Sequence, residues 1–538
     1  MYIANKFFTV IKRTDIYFML LAVVAWFNFL QLSIIGIRTN ILLKPFLFIS
    51  VLRELYCACI SYDKDKNFFK NLFDYVCQLL GFKPFPNERG LNRSSEIILR
   101  ATRFLYVFLV CSTIIHVIRV RSLARHTVIQ IIIFYFVLLC ICRNNGKTKE
   151  ERSSTVLQEM ELVSKAISLI SIVIGVVQIL MLITNYQKIS GNAIIGVYGK
   201  GLYGIMGNSN SVGISAGIVI GFSIYNFLKT NQRWKRILYL FNVIIHILQA
   251  VFCNARTTLI ALFIALFFAL MYILLSGIRK NMLIFVLLVS TMLLTSVLDV
   301  FVKPVIQENY LKEHLDIEKI KYDLPEMFAE FDLEDRKAAI EELEKAESES
   351  SFVYMSDHKI FGKEYPLSVR DIFLQNPFLI VLDDYSTGRI QLWKEATLLF
   401  GSNMINGYGF YKMNTAFWQR VSHHGNTVYM GISSSHNLIF DLLWMGGVIG
   451  FIIGLLIILV SYSRFFKRFI LQIRISRKKT SVDGNSKNKE FFLLLFIAFF
   501  IGMVQLFEIS AITAFNLSTV VFWLFIRWNA ILPQPQKR

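Results

Sequence analysis

Roughly twelve stretches of about 20 apolar residues, each long enough to cross a bilayer, follow one another along this chain. Lipid offers no hydrogen bonds, so such stretches must satisfy their own backbone as helices. With 55% hydrophobic against 17% charged residues, 48 phenylalanines among 538 residues and a mean hydropathy of +0.53, a soluble globular domain is excluded. The expected fold class is all-α: a polytopic membrane protein of about 12 transmembrane helices with one long external loop. Helices one to nine fall in residues 1–303, the loop with its amphipathic helices in 304–435, and helices ten to twelve in 436–538. Lys6, Lys12 and Arg13 precede the first span without a cleavable small-residue pattern, so that span reads as retained.

The net charge of +20 must be divided by side of the membrane before it implies a partner such as nucleic acid, which it does not require here. Residues 304–435 carry 13 Lys+Arg and 21 Asp+Glu, a balance of −8 that leaves +28 on the rest. Between Tyr462 and Lys489 nine Lys/Arg stand against one Asp. By the positive-inside rule such basic loops are cytoplasmic, which puts both termini inside and the 304–435 loop outside. The segment "RVRSLARH" (119–126), with Arg119, Arg121 and Arg125, falls outside against that rule; tilted or re-entrant helices, or an external anion, account for it. The seven cysteines sit in or near apolar spans and read as small buried hydrophobes.

In this topology the even-numbered spans begin at the outer face. There the unpaired N–H groups and macrodipole of a helix start favour an anion. Span six opens with "GIMGNSNSVG", span eight with "CNARTTL" and span ten with "SSSHNLIF", which sets Asn208, Asn210, Arg256, His436 and Asn437 at one depth. Each has a plain reading beside the functional one. Asn208 and the serines, Ser435 included, suit helix caps; Arg256 can snorkel to the bilayer edge; His436 can be a packing residue at a helix start. His423–His424 lacks a carboxylate at ligand spacing, so no metal site is expected. Before span ten, "GRIQLWKEATLLFGSNMINGYGF" places Arg389 and Trp393 four apart on a surface helix ahead of a Gly-x-Gly turn. Arginines at helix starts without an acidic metal-binding triplet suit a phosphate or diphosphate, and a neutral imidazole beside it suits removal of a hydroxyl proton.

These blocks resemble, in order, the motifs of the bacterial O-antigen ligase and polymerase superfamily of multispanning glycosyltransferases. "GIMGNSNSVGISAGIVI" is similar to its Gly-x-x-x-Asn-x-Asn helix start and "NARTTLIALFIALFFAL" to its Ser-Arg-Gly block. "GRIQLWKEATLLFGSNMINGYGF" is similar to its Arg-x-x-x-Trp segment, and "SHNLIFDLLWMGGVIGF" to its His-Asn-x-x-x-x-x-Leu-x-x-x-Gly-x-x-Gly ending. The likeness covers about residues 160–460. "NART" and "NMING" depart locally from the pattern, and the acidic 307–350 insert has no counterpart in it.

The resemblance implies transfer of a glycan from a polyprenyl diphosphate, usually undecaprenyl, to an acceptor hydroxyl on a glycan or lipid, with no cofactor and no metal. It further implies surface polysaccharide (lipopolysaccharide or capsule) synthesis at the outer face of the bacterial inner membrane. Arg256 and Arg389 match diphosphate-binding arginines, and His436 matches the acceptor-activating histidine. Asn437, Asn210, Trp393 and Arg121 are supporting candidates. The competing reading is a transporter of lipid-linked oligosaccharide or polysaccharide, for which internal repeats, broken helices and mid-membrane charges are the expected marks. The sequence has no such repeat; Arg53, Glu54 and Glu508 are its candidate charges, Glu508 being expected to be exposed at a helix end.

Overall fold

The computed structural model describes residues 13–28, 30, 40–60, 67–83, 91–121, 125–139, 148–190, 193–198, 201–276, 282–311, 359–360, 363–364, 389–411, 435–478, 484–508, 511–513 and 515–534. The charged helix expected within 311–350 and the pair His423–His424 lie outside them.

The chain is an all-α polytopic membrane protein. Its helices are α1 (Thr14–Phe27), α2 (Asn40–Ile60), α3 (Phe68–Leu79), α4 (Arg93–Val120), α5 (Arg125–Phe134, continued by a π turn Tyr135–Leu139) and α6 (Lys149–Ile183). Then come α7 (Ser209–Lys229), α8 (Arg233–Phe252), α9 (Arg256–Ser276), α10 (Met282–Val297, followed by a π turn Leu298–Val302) and α11 (Lys303–Asn309). The last four are α12 (Arg389–Ser402), α13 (Leu438–Lys478), α14 (Gly484–Phe507) and α15 (Leu517–Ile531). Among the described residues eight helices are long and apolar enough to cross a membrane, corresponding to the third, fifth to ninth, tenth and eleventh expected spans. Helices at the first, fourth and twelfth are apolar but shorter, and α2 carries Lys44, Arg53 and Glu54.

Two short sheets depart from the expectation: β1 (Gln187–Ser190), β2 (Ala193–Tyr198) and β3 (Gly201–Gly204) form an antiparallel sheet between α6 and α7, and Lys359–Ile360 pairs with Lys363–Glu364. The signal was present in the sequence, because "KISGNAIIGVYGKGLYG" alternates and is punctuated by Gly-Asn and Gly-Lys turns. The cysteines also depart in part from the expectation of burial. Cys253 is buried, but Cys111 is exposed on α4, where the surrounding apolar face suits lipid as well as core.

Polar groups inside the bundle join helices. A Thr148–Glu151 capping box starts α6, whose 35 residues span about 52 Å, more than the hydrocarbon layer needs. Along α6, buried Ser164 donates to Asn226 Oδ1 (3.1 Å), and Asn242 Nδ2 reaches Ser168 O (2.9 Å), Ser171 Oγ (2.9 Å) and Ser223 Oγ (2.8 Å). This seam ties α6, α7 and α8 together by interhelical hydrogen bonds, each stabilising by up to about 1–2 kcal/mol. On its other side α7 receives α14, with Phe500 and Phe496 packed over Gly217 and Gly221 so closely that an added Cβ would lie 2.0 and 2.3 Å from the rings.

α13 is broken. Gly447 has φ 57° and ψ −161°, a conformation open essentially to glycine alone. The backbone groups freed by the break are taken up by the segment after α12. Tyr408 N–H donates to Trp444 O (3.1 Å), Gly409 N–H to Met445 O (2.8 Å), and Val448 N–H to Met404 O (2.7 Å). The two glycine motifs "NGYG" and "WMGG" therefore bind each other. Gly447→Ala is expected to lower stability by about 1–3 kcal/mol or more, because its Cβ would lie 2.4 Å from Ile405 O at a forbidden φ/ψ. Gly446→Ala, whose added Cβ would lie 3.5 Å from Phe451 N, an ordinary contact, is the matched control. Thermal unfolding in detergent distinguishes them, and equal melting temperatures for the two variants would mean that the break does not depend on Gly447.

Candidate functional site

The starts of α7, α9, α12 and α13 and the end of α14 meet at one end of the bundle. Asn208 caps α7: its Oδ1 accepts from the N–H groups of Asn210 (2.8 Å) and Ser211 (3.3 Å). The α9 start lies beside it, since a Cβ on Gly213 would stand 2.6 Å from Thr258 Oγ1. Four helix starts thus direct the partial positive charge of their dipoles toward this end.

At its centre is Glu508, one residue past α14. Its carboxylate ion-pairs with Arg389 Nη2 through Oε1 and accepts from Asn210 Nδ2 through Oε2 (2.7 Å). Its backbone carbonyl accepts from His436 Nδ1 (2.6 Å). Because a carbonyl only accepts, Nδ1 carries the proton and the lone pair of the neutral ring lies on Nε2. The expectation that Glu508 is simply exposed is corrected: it is 2% exposed, because three elements close over it. A carboxylate at a helix C-terminus opposes its own helix dipole, so the neighbouring arginine and helix starts supply the compensating positive charge.

His436 has φ +54°, rare for a residue with a side chain, and that left-handed turn carries its ring to the α14 carbonyl. The cap of α13 is not Ser435 as expected but Asn437, whose Oδ1 accepts from Ile439 (2.8 Å) and Phe440 (3.3 Å) and whose Nδ2 donates to Leu506 O (2.7 Å). Ser435 instead gives its N–H (2.8 Å) and hydroxyl (2.7 Å) to Asp441 Oδ1, which also accepts from Trp444 Nε1 (2.7 Å). Asp441, wholly buried, fixes the residue before His436.

Arg389 opens α12, and one turn later Trp393 stacks on Phe440 of α13 (ring centroids 5.3 Å, 11° between planes). α12 is more than a surface helix, since Leu392, Ala396 and Leu399 are buried. The two arginines read as a pair are placed differently. Arg389 is held within the cluster, whereas Arg256 stands exposed at the first residue of α9 with no hydrogen bond or ion pair among the described residues. Arg121 is exposed at the C-cap of α4, which runs antiparallel to α13 and ends at this same end. The side chain of Arg125 lies outside the described residues. Among the described residues no group of three His, Cys, Asp or Glu is placed to hold a metal ion.

The chain matches no family model and no curated protein. Sequence reasoning missed Asp441 and misread Glu508 as an exposed helix-end charge. Each is a single acid at the edge of an apolar run, and only the approach of residues far away in sequence gives it partners.

Proposed function

We propose that this protein is a membrane glycosyltransferase of the O-antigen ligase and polymerase type, transferring a glycan from a polyprenyl diphosphate to an acceptor hydroxyl. The observation that carries this reading is the His436 ring, held through Nδ1 by the Glu508 carbonyl beside Arg389, which leaves Nε2 as the basic atom of the neutral imidazole. In the reaction Nε2 takes the acceptor's proton as its oxygen bonds to the anomeric carbon of the donor. The bond from that carbon to the diphosphate oxygen breaks, and the charge gathering on the polyprenyl diphosphate is met by Arg389, with Arg256 at the neighbouring helix start. Glu508 and Asn210 position Arg389; Asn437 and Asp441 position His436; Trp393 sets α12 against α13.

In this reading the chain crosses the bacterial inner membrane twelve times, with α1, α2, α5 and α15 completing the set. Support comes from ties at the site's end of the bundle: Asn28 after α1 donates to Phe515 O (2.7 Å) and Gln130 of α5 to Thr513 O (3.0 Å). The basic 462–489 segment then lies on the cytoplasmic side with both termini, and the site faces outward. The polymerase and ligase forms differ in the acceptor, a second lipid-linked glycan in one and a lipid or glycan of another kind in the other.

The test is turnover of an undecaprenyl-diphosphate glycan by purified protein in nanodiscs, with and without EDTA, read as free polyprenyl diphosphate and lengthened lipid-linked product. Lengthened product marks a polymerase, and product only with added acceptors marks a ligase. Arg389→Lys is expected to lower turnover about tenfold or more, because an ammonium cannot reproduce the guanidinium's planar fork. The transporter reading is favoured by the break in α13 and by a buried Glu159–Arg527 ion pair. Intact glycan lipid crossing a sealed bilayer, with no bond broken under any acceptor, would replace the transferase reading with that one.

A further inference from the structure

At the opposite end of the bundle two arginines lie one turn apart on α13. Arg464 and Arg468 are each 4% exposed. Arg464 donates through Nε to Asn529 O (2.8 Å), through Nη2 to Leu532 O (2.8 Å) and through Nη1 to Ser94 Oγ (3.1 Å). Arg468 donates through Nη2 to the same Leu532 O (2.5 Å) and through Nη1 to Asn529 Oδ1 (3.1 Å). Two guanidinium groups thus converge on one carbonyl at the end of α15. Among the described residues neither has a carboxylate partner.

Their hydrogen bonds account for part of this arrangement, since arginines satisfy the last carbonyls of a helix. They do not account for the charge. A helix C-terminus supplies roughly half a negative charge against two positive ones. Moreover, α4 begins at this point and adds the positive end of its own dipole. Its N-cap Asn92 makes no side-chain cap hydrogen bond, and Ser95 Oγ in the first turn is buried at 1% exposure without a partner. Like charges held together away from water are costly unless an anion joins them.

We propose that Arg464, Arg468 and the first turn of α4 form a binding site for a phosphate group on the face opposite the candidate active site. Forked guanidinium donors and the positive end of a helix dipole together match phosphate oxygens. Ser94, which accepts from Arg464 Nη1, is half-buried, so this edge of the cluster is partly open to the surroundings. Two sources carry that chemistry, the headgroup of an anionic phospholipid and free inorganic phosphate, and basic clusters between transmembrane helices at the cytoplasmic surface are suited to the former.

The test uses the full chain in lipid-free detergent, with melting temperature and native mass spectrometry read after adding phosphatidylglycerol, phosphatidylcholine or inorganic phosphate. Phosphatidylglycerol is expected to stay bound and raise the melting temperature by about 2 °C or more, and phosphatidylcholine is not. An equal rise with inorganic phosphate alone assigns the site to the free ion. Arg468→Gln is expected to remove the response, but it also strips contacts from α15. Ser94→Asp therefore provides the second variant, because a carboxylate 3.1 Å or less from the Arg464 fork supplies the missing anion internally. That variant is expected to melt higher than the unaltered protein without lipid and to ignore phosphatidylglycerol. The proposal is overturned if the unaltered protein responds alike to phosphatidylglycerol and phosphatidylcholine, if it responds to none of the three, or if Ser94→Asp keeps the full response.

Discussion

Replacing His436 by asparagine is expected to lower glycan transfer by about 10²–10⁴, the range of a lost general base, while leaving the protein folded. Asparagine is chosen on two features of the site. Position 436 lies at φ +54°, which asparagine tolerates better than most residues with a side chain, and its amide N–H can replace the Nδ1–H donated to Glu508 O. What it cannot supply is the basic nitrogen at Nε2. His436→Ala is expected to be equally inactive but also less stable, since it loses the tie to α14 as well as the base. Comparing turnover with melting temperature separates the two roles. If His436→Asn turns over like the unaltered protein, the ring is a structural link and the base lies elsewhere.

Much of this cluster is legible in the sequence, and the reason is topological. Spans that enter the membrane from the same face start at one depth, so Asn208, Asn210, Arg256, His436 and Asn437 were expected to share an end of the bundle. What sequence order does not give is lateral distance, and there the arginines diverge: Arg389 is held by Glu508, whereas Arg256 stands exposed at its own helix start. The break in α13 was hidden for a related reason. "LLWMGGVIGFIIGLL" is apolar throughout and reads as one span, because hydropathy does not register φ and ψ. Only the return of residues 404–409 to Trp444, Met445 and Val448 explains why a bilayer-length helix carries Gly446–Gly447. Arg53 and Glu54 show what side-chain direction adds. Neighbours in sequence, they point apart, Arg53 over the Tyr17 ring (4.1 Å) and Glu54 accepting from Tyr135 (3.1 Å).

The largest stability effect is expected at Glu159 and Arg527, a pair with no counterpart in the motif-based reading. Both are wholly buried, and they meet through two parallel bonds, Nε to Oε2 (2.9 Å) and Nη2 to Oε1 (2.8 Å). The guanidinium also lies 4.5 Å from the Phe18 ring centroid, so one contact joins α6, α15 and α1. Charges taken out of water into a helix bundle are tolerable only together, and removing one partner of such a pair costs about 3–5 kcal/mol. The two single variants should not be equal. Glu159→Gln strands a guanidinium that keeps its charge, whereas Arg527→Met strands a carboxyl that can become neutral by taking up a proton. Glu159→Gln is therefore expected to melt lower than Arg527→Met, and the double variant Glu159→Met with Arg527→Met to melt above either single one. That coupling follows because the double variant leaves no orphaned charge and replaces the pair with side chains suited to an apolar interior. Additive losses in the double-mutant cycle would mean instead that water or other residues already compensate each charge, and that the pair does not hold α1, α6 and α15 together.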